Sequence, residues 1–144
     1  MKITFSGCEF VTLGLVCNSV GVPPGEIVTA PLVVTLGYIN GPKKEAGIDL
    51  STATGGPLME FVCAGLRVLV DGSVIGKVTP VNKVVTPPAH FSVRFTQTAG
   101  KQKPPKFEGE PPDVLSTSFG GPFAESGLSS PEEVSFPIPW MIAA

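Results

Sequence analysis

Apolar and polar residues alternate along this chain in short runs separated by glycine and proline. The stretch Ala89-His90-Phe91-Ser92-Val93-Arg94-Phe95-Thr96 shows the pattern best. Phe91, Val93 and Phe95 fall on one side, and His90, Ser92, Arg94 and Thr96 on the other. A period of two is that of a half-buried β-strand. The same criterion predicts strands over residues 2–5, 9–17, 46–50, 58–63, 66–70, 81–85 and 114–119. Residues 135–138 read as an edge strand that Pro137 interrupts. The longest apolar segment, residues 27–39, is apolar on both faces. Leu32, Val34, Leu36 and Tyr38 share one face, and Val33, Thr35, Gly37 and Ile39 the other. That predicts a central strand covered on each side, or one bent at Gly37, with Pro31 at its start or at a bulge.

Turn chemistry fills the gaps. Asn40-Gly41-Pro42 and Thr54-Gly55-Gly56-Pro57 are breaks, and Ala64-Gly65 separates two strands. Asp71-Gly72, between apolar runs, predicts a two-residue type I′ hairpin with residues 73–78 as the returning strand, because both central residues then take positive φ. Helical signals are confined to Ser130-Pro131-Glu132-Glu133, which has the form of a helix start. Pro137 limits any helix there to one or two turns. The expected fold is therefore all-β: one domain over residues 1–144, a β-sandwich or barrel-like sheet of short antiparallel strands.

Composition agrees with that picture. The chain is 42% hydrophobic and 15% charged, so charge repulsion does not disorder it. Its 17 glycines and 16 prolines sit between apolar runs, as turns would place them. A formal net charge of −2 offers no electrostatic case for nucleic acid or an anionic membrane surface. Lys101, Lys103 and Lys106 lie in a Pro-rich loop, residues 99–112, and Glu108 and Glu110 follow at once. No apolar run approaches the ~20 residues of a membrane helix. The first five residues alternate at once and lack the apolar core of a signal peptide. Either the chain is intracellular or it is exported and a leader has been removed.

Three cysteines, Cys8, Cys17 and Cys63, allow three pairings and leave one thiol over. Cys8 and Cys17 flank a turn near Thr12-Leu13-Gly14, so a hairpin disulfide between them is expected if their Cα atoms come within ~7 Å. Cys63 is then a buried thiol or pairs outside this chain. Three reduced core cysteines are the alternative.

Catalytic groupings are scarce. His90 is the one histidine, and Ser92 on the same strand face lies ~6.6 Å along the chain, too far for direct proton transfer. Gly72-Ser73-Val74-Ile75-Gly76 has its serine in the wrong place for a nucleophile elbow. A Cys63–His90 thiol pair is the remaining nucleophilic option. No C-x₂-C unit occurs, Asp49, Asp71 and Asp113 lack calcium-loop spacing, and Gly120-Gly121 precedes proline rather than a helix. Glu60, the least trivial acid, alternates with Phe61 and is expected in solvent. No catalytic residue, cofactor or metal ligand is assigned.

Several phrases form a familiar set: Gly25-Glu26-Ile27-Val28-Thr29-Ala30-Pro31-Leu32, Leu36-Gly37-Tyr38-Ile39, Gly72-Ser73-Val74-Ile75-Gly76, Pro80-Val81-Asn82-Lys83, and Gly100-Lys101-Gln102 followed by Phe107-Glu108-Gly109. In this order, over residues 8–128, they resemble a set of uncharacterised, predicted secreted proteins of soil actinobacteria. The resemblance implies export. It also implies further cysteines upstream, one of which would partner Cys63 in a chain shortened at its N-terminus. It implies no activity.

The C-terminal tail, residues 137–144, is apolar to its end. It either packs on its own domain or docks Trp140, Met141 and Ile142 on a neighbouring chain. The leading expectation is a non-catalytic, secreted or surface-associated β-domain. It would act by self-assembly (a homo-oligomer) or by binding another extracellular macromolecule. A carbohydrate- or small-ligand-binding sandwich and a hydrolase of unfamiliar type are the alternatives.

Overall fold

The computed structural model describes residues 1–144 as fourteen strands with no helix. In chain order the first five are β1 (Thr4–Phe5), β2 (Glu9–Phe10), β3 (Leu15–Asn18), β4 (Ile27–Val28) and β5 (Leu32–Asn40). Then come β6 (Glu45–Thr52), β7 (Met59–Cys63), β8 (Leu66–Gly72), β9 (Val74–Thr79) and β10 (Ala89–Thr98). The last four are β11 (Lys101–Lys103), β12 (Leu115–Ser118), β13 (Ala124–Ser126) and β14 (Ser130–Phe136).

They form two curled antiparallel sheets of six strands each. One runs β11-β10-β9-β6-β5, with β14 also on β10; the other runs β13-β12-β8-β7-β3-β2, and β1 and β4 make a small separate ladder. The alternation in β10 works as the sequence predicts. Ala89, Phe91, Val93 and Phe95 are buried and the residues between them exposed. These four meet Leu32, Leu50, Val74 and Val78 of their own sheet and Leu58, Val70 and Leu115 of the other side in one apolar core. Cys17, Ile27, Cys63 and Val68 form a smaller second cluster.

Four expectations about strands and turns are corrected. First, Asp71-Gly72 does not close a hairpin. β8 pairs with β7 and β12, while β9 pairs with β6 and β10, so the chain crosses between sheets there. Gly72 is required for a different reason: its φ is +105°, and a Cβ would stand 1.9 Å from the Val114 carbonyl oxygen. Consecutive positive-φ residues instead occupy two other hairpins, at Ala64-Gly65 between β7 and β8 and at Ala99-Gly100 between β10 and β11.

Second, Ser130-Pro131-Glu132-Glu133 starts strand β14, not a helix. β14 pairs with the full inner length of β10, and Pro131, opposite Arg94, is tolerated on this outer strand. Third, residues 81–85 make only an isolated bridge, Val85 with Trp140.

Fourth, the segment 27–39 is not a central strand. It breaks at Pro31 into β4 and β5, and β5 is the sheet's edge, paired with β6 alone. Its apolar outer face is explained locally. Gly37 leaves room for the Phe107 ring, whose atoms would lie 2.7–2.9 Å from a Cβ at that position. The loop following β11 thus crosses back over the sheet and lays Phe107 on β5.

The cysteine pairing also differs. Residues 9–17 are not one strand: a turn at residues 11–14 divides them into the β2–β3 hairpin that the cysteine spacing suggested, and the Cys17 N–H donates to the Cys8 carbonyl at 3.0 Å. The disulfide, however, joins Cys17 to Cys63 across the β3–β7 ladder, where the Cα atoms are 4.4 Å apart. That separation is typical of a non-hydrogen-bonded antiparallel pair, the position at which side chains approach most closely. Cys8 remains a free, half-buried thiol, its pKa raised by burial. Cys63 needs no partner outside the chain and is not available as a nucleophile.

Candidate functional site

The distinctive surface is built around β5. In an antiparallel ladder alternate residues turn their N–H and C=O groups to opposite edges. The Ala53 N–H donates to the Pro31 carbonyl at 2.9 Å, which directs the odd-numbered residues of β5 toward β6 and Leu32, Val34, Leu36 and Tyr38 outward. Both ends of that outward edge are occupied. The Leu32 N–H donates to the Met1 carbonyl at 2.7 Å, and the Glu108 N–H donates to the Tyr38 carbonyl at 2.7 Å. Between the two caps, the N–H and C=O groups of Val34 and Leu36 face no strand.

The side chains of this stretch are open as well. Val34, Leu36 and Tyr38 are 44%, 54% and 50% exposed, although they continue the face that carries the core residues Leu50 and Phe95. Most protein edges are blunted by charge, proline or a bulge along their length. Here the central part of the edge carries none of these.

A cleft of about 660 Å³ borders the other face of β5. Thr35, Gly37 and Tyr38 line one side, Asp49 comes from β6, and Phe107, Glu108, Glu110 and Asp113 come from the overlying loop. The placement of Asp49 follows from the alternation of β6. Ala46 and Leu50 are buried, so Asp49 emerges on the opposite face, directly across from Thr35. The loop is anchored by the Glu108 carboxylate, whose Oε2 accepts from the Gly41 N–H at 2.6 Å. Asp113 accepts from the Ser73 hydroxyl at 2.6 Å.

Four carboxyl groups line this cleft, and no lysine or arginine does. Burial, reinforced by the Asp113 charge, pushes the Asp49 pKa up to about 6; the Ser73 hydroxyl and Val74 N–H offset only part of this. Asp49 Oδ1 is buried without a hydrogen-bond partner. The arrangement can hold a positive charge. No three His, Cys, Asp or Glu side chains converge as a metal site would require.

The other sequence candidates are dispersed. His90 stands on the exposed face of β10, where its Nδ1 meets both Ser135 Oγ and Glu133 Oε1 at 2.9 Å. A hydrolytic relay needs the hydroxyl and the acid on opposite ring nitrogens. Two partners on one nitrogen make a surface hydrogen-bond cluster. Ser92 lies along the same face beside Lys77, Arg94 and Lys103 in a smaller groove of about 390 Å³. Glu60 is exposed as expected, paired with Arg67, which holds its carboxyl below the usual range. Asp71 is exposed in β8 and does not line the cleft that Asp49 and Asp113 share.

The tail folds back on its own domain. Val85 and Trp140 exchange two backbone hydrogen bonds, the Trp140 ring stacks on Phe136 at 4.6 Å, and Ile142 packs against the core. Trp140 and Met141 remain 43% and 50% exposed, so the tail presents some apolar surface while already having a seat.

The cleft is not legible in the alternation of apolar and polar residues. Phe107 in a polar, Pro-rich stretch was the available signal, since a lone large apolar residue in such a loop marks a point of attachment. No family model, curated protein or solved structure matches the chain. The structure contains no helix able to cross a membrane.

Proposed function

We propose that this chain is a non-catalytic β-domain, working outside the cytoplasm, that binds another macromolecule by accepting an extended segment as an added strand on β5. One observation carries this reading: the uncapped edge at Val34 and Leu36, where open backbone groups coincide with exposed apolar side chains. Strand addition draws affinity from main-chain hydrogen bonds and specificity from alternate side chains, and both are available here. The Cys17–Cys63 disulfide supports an oxidising compartment, because cytosolic thiols are generally kept reduced.

Amide hydrogen exchange tests the reading. In the free protein the Val34 and Leu36 amides should exchange fast, while those of Thr35 and Gly37, bonded to β6, are protected. A short peptide of alternating threonine and valine should slow exchange at Val34 and Leu36 alone. No added protection at millimolar peptide would end the proposal.

A further inference from the structure

This inference rests on the strand-addition reading and concerns what the added segment contains. We propose that the partner is a cationic extended segment of another protein, with apolar residues paired to Val34 and Leu36 and a lysine or arginine opposite Thr35.

The argument follows from the ladder. Residues of an added antiparallel strand that bond to Val34 and Leu36 point to the same face as those side chains, which is apolar and exposed. The residue between them points with Thr35 to the opposite face, beside the cleft. There the incoming side chain meets the field of Asp49, Glu108, Glu110 and Asp113, with no lysine or arginine lining the cleft to compensate it. Asp49 Oδ1, buried and without a partner, marks where that field is least satisfied. An acidic residue at this position would be repelled, and an uncharged one would bring the carboxylates no counter-charge. Because the caps at Leu32 and Tyr38 restrict the open window to a few residues, backbone bonding alone is limited. The charged contact therefore carries a large share of the selectivity.

A second copy of this chain fits less well. Pairing β5 with itself so that Val34 bonds to Leu36 places Thr35 opposite Thr35 and supplies no cation. It also drives Met1 of each copy against Glu108 of the other, since both caps occupy the edge where the strands must meet.

Three peptides decide the matter: acetyl-Thr-Val-Lys-Val-Thr-amide and its counterparts with alanine or glutamate at the centre, titrated into the isotopically labelled protein and followed by amide shifts. The lysine peptide should bind at Val34–Leu36 about fivefold or more tighter than the alanine peptide, with the glutamate peptide weakest. Glu110→Gln, a change at an exposed side chain, should narrow that ratio without altering the fold. Equal binding of all three at this edge would overturn the cationic assignment and leave strand addition intact. Binding of none would remove strand addition itself. Concentration-dependent dimerisation through β5 without peptide would make the occupant a second copy, and the inference would be wrong.

Discussion

β10 and β5 are the two longest strands of the same sheet, and their sequences promise similar burial, yet only one delivers it. β10 has partners on both sides and hides Ala89, Phe91, Val93 and Phe95 almost completely. β5 has more apolar residues in its run, but among its first five positions only Leu32 is buried. Alternation reports which way a side chain points. Whether anything waits on that side depends on neighbours that are remote in sequence. The contrast separates apolar residues that stabilise the fold from those the fold leaves available.

The sharpest way to break this comparison is to truncate one residue from each strand. Phe91→Ala should lower the unfolding free energy by about 3–5 kcal/mol, the usual cost of emptying an aromatic site in a packed core. Leu36→Ala should cost less than about 1 kcal/mol, as exposed substitutions do. Urea denaturation of the two variants measures both, and equal losses would mean that β5 is as deeply engaged as β10.

The disulfide gives a second, slightly smaller contrast, since it fastens β3 and β7 in the sheet to which β5 does not belong. Cys17 and Cys63 are 46 residues apart. Loop-closure entropy for that span amounts to about 4 kcal/mol, with measured disulfides more commonly at about 2–4. Cys17→Ala with Cys63→Ala should therefore lower the melting temperature clearly, while Cys8→Ala should change it little. If Cys8→Ala matched the double variant, the pairing would have to be reassigned to the hairpin.

How much could be read beforehand varied with the range of the interaction. Phe91, Val93 and Phe95 were legible because a strand's own geometry sets their direction. The β2–β3 hairpin was legible for the same reason, and with it the apposition of Cys8 and Cys17. Which of its neighbours Cys17 bonds was not, because that depends on the ladder formed on its far side. Asp71-Gly72 coincides with the end of β8, but a local signal cannot say that the next strand joins the opposite sheet instead of folding back as a hairpin. Ser130-Pro131-Glu132-Glu133 suits a helix start and an edge strand equally well, and the open side of β10 decided between them. The cleft was least legible. Asp49 falls in the strand expected over residues 46–50, but its neighbour Asp113 arrives on a loop whose path is set by Phe107 finding the gap above Gly37.

Asp49 supplies a pH-dependent version of the comparison, because it sits beside β5 and pays no part in the core beneath β10. Its pKa is raised from 3.8 to about 6, so the folded chain holds that proton more tightly than the unfolded one. Stability linked to Asp49 is therefore greatest below pH ~4, declines as pH rises toward about 6, and is level above that. Two pKa units correspond to about 3 kcal/mol. The carboxyl keeps some solvent contact, so an effect of about 1–2 kcal/mol is expected. Asp49→Asn should consequently be more stable than the parent at pH 7.5, with the difference vanishing near pH 4. A difference independent of pH would mean that the carboxyl is not held in a desolvated, negatively charged setting.

The smallest effect on stability is expected from the substitution that matters most for binding. The Leu36 N–H points away from β6, so Leu36→Pro removes an outward donor and leaves the β5–β6 hydrogen bonds in place. Thermal unfolding should shift by the equivalent of about 1 kcal/mol or less. The same change in β10 would be severe: Phe91 is flanked by β14 and lies 2% exposed in the core, so proline there would empty a packed site and break a ladder. A strand that tolerates proline in its middle is one whose outer edge the fold does not use. If Leu36→Pro unfolds the protein, that edge is structural and the distinction between the two strands fails. If the protein stays folded and loses its peptide ligand, the backbone groups left open at Val34 and Leu36 are the ones that bind.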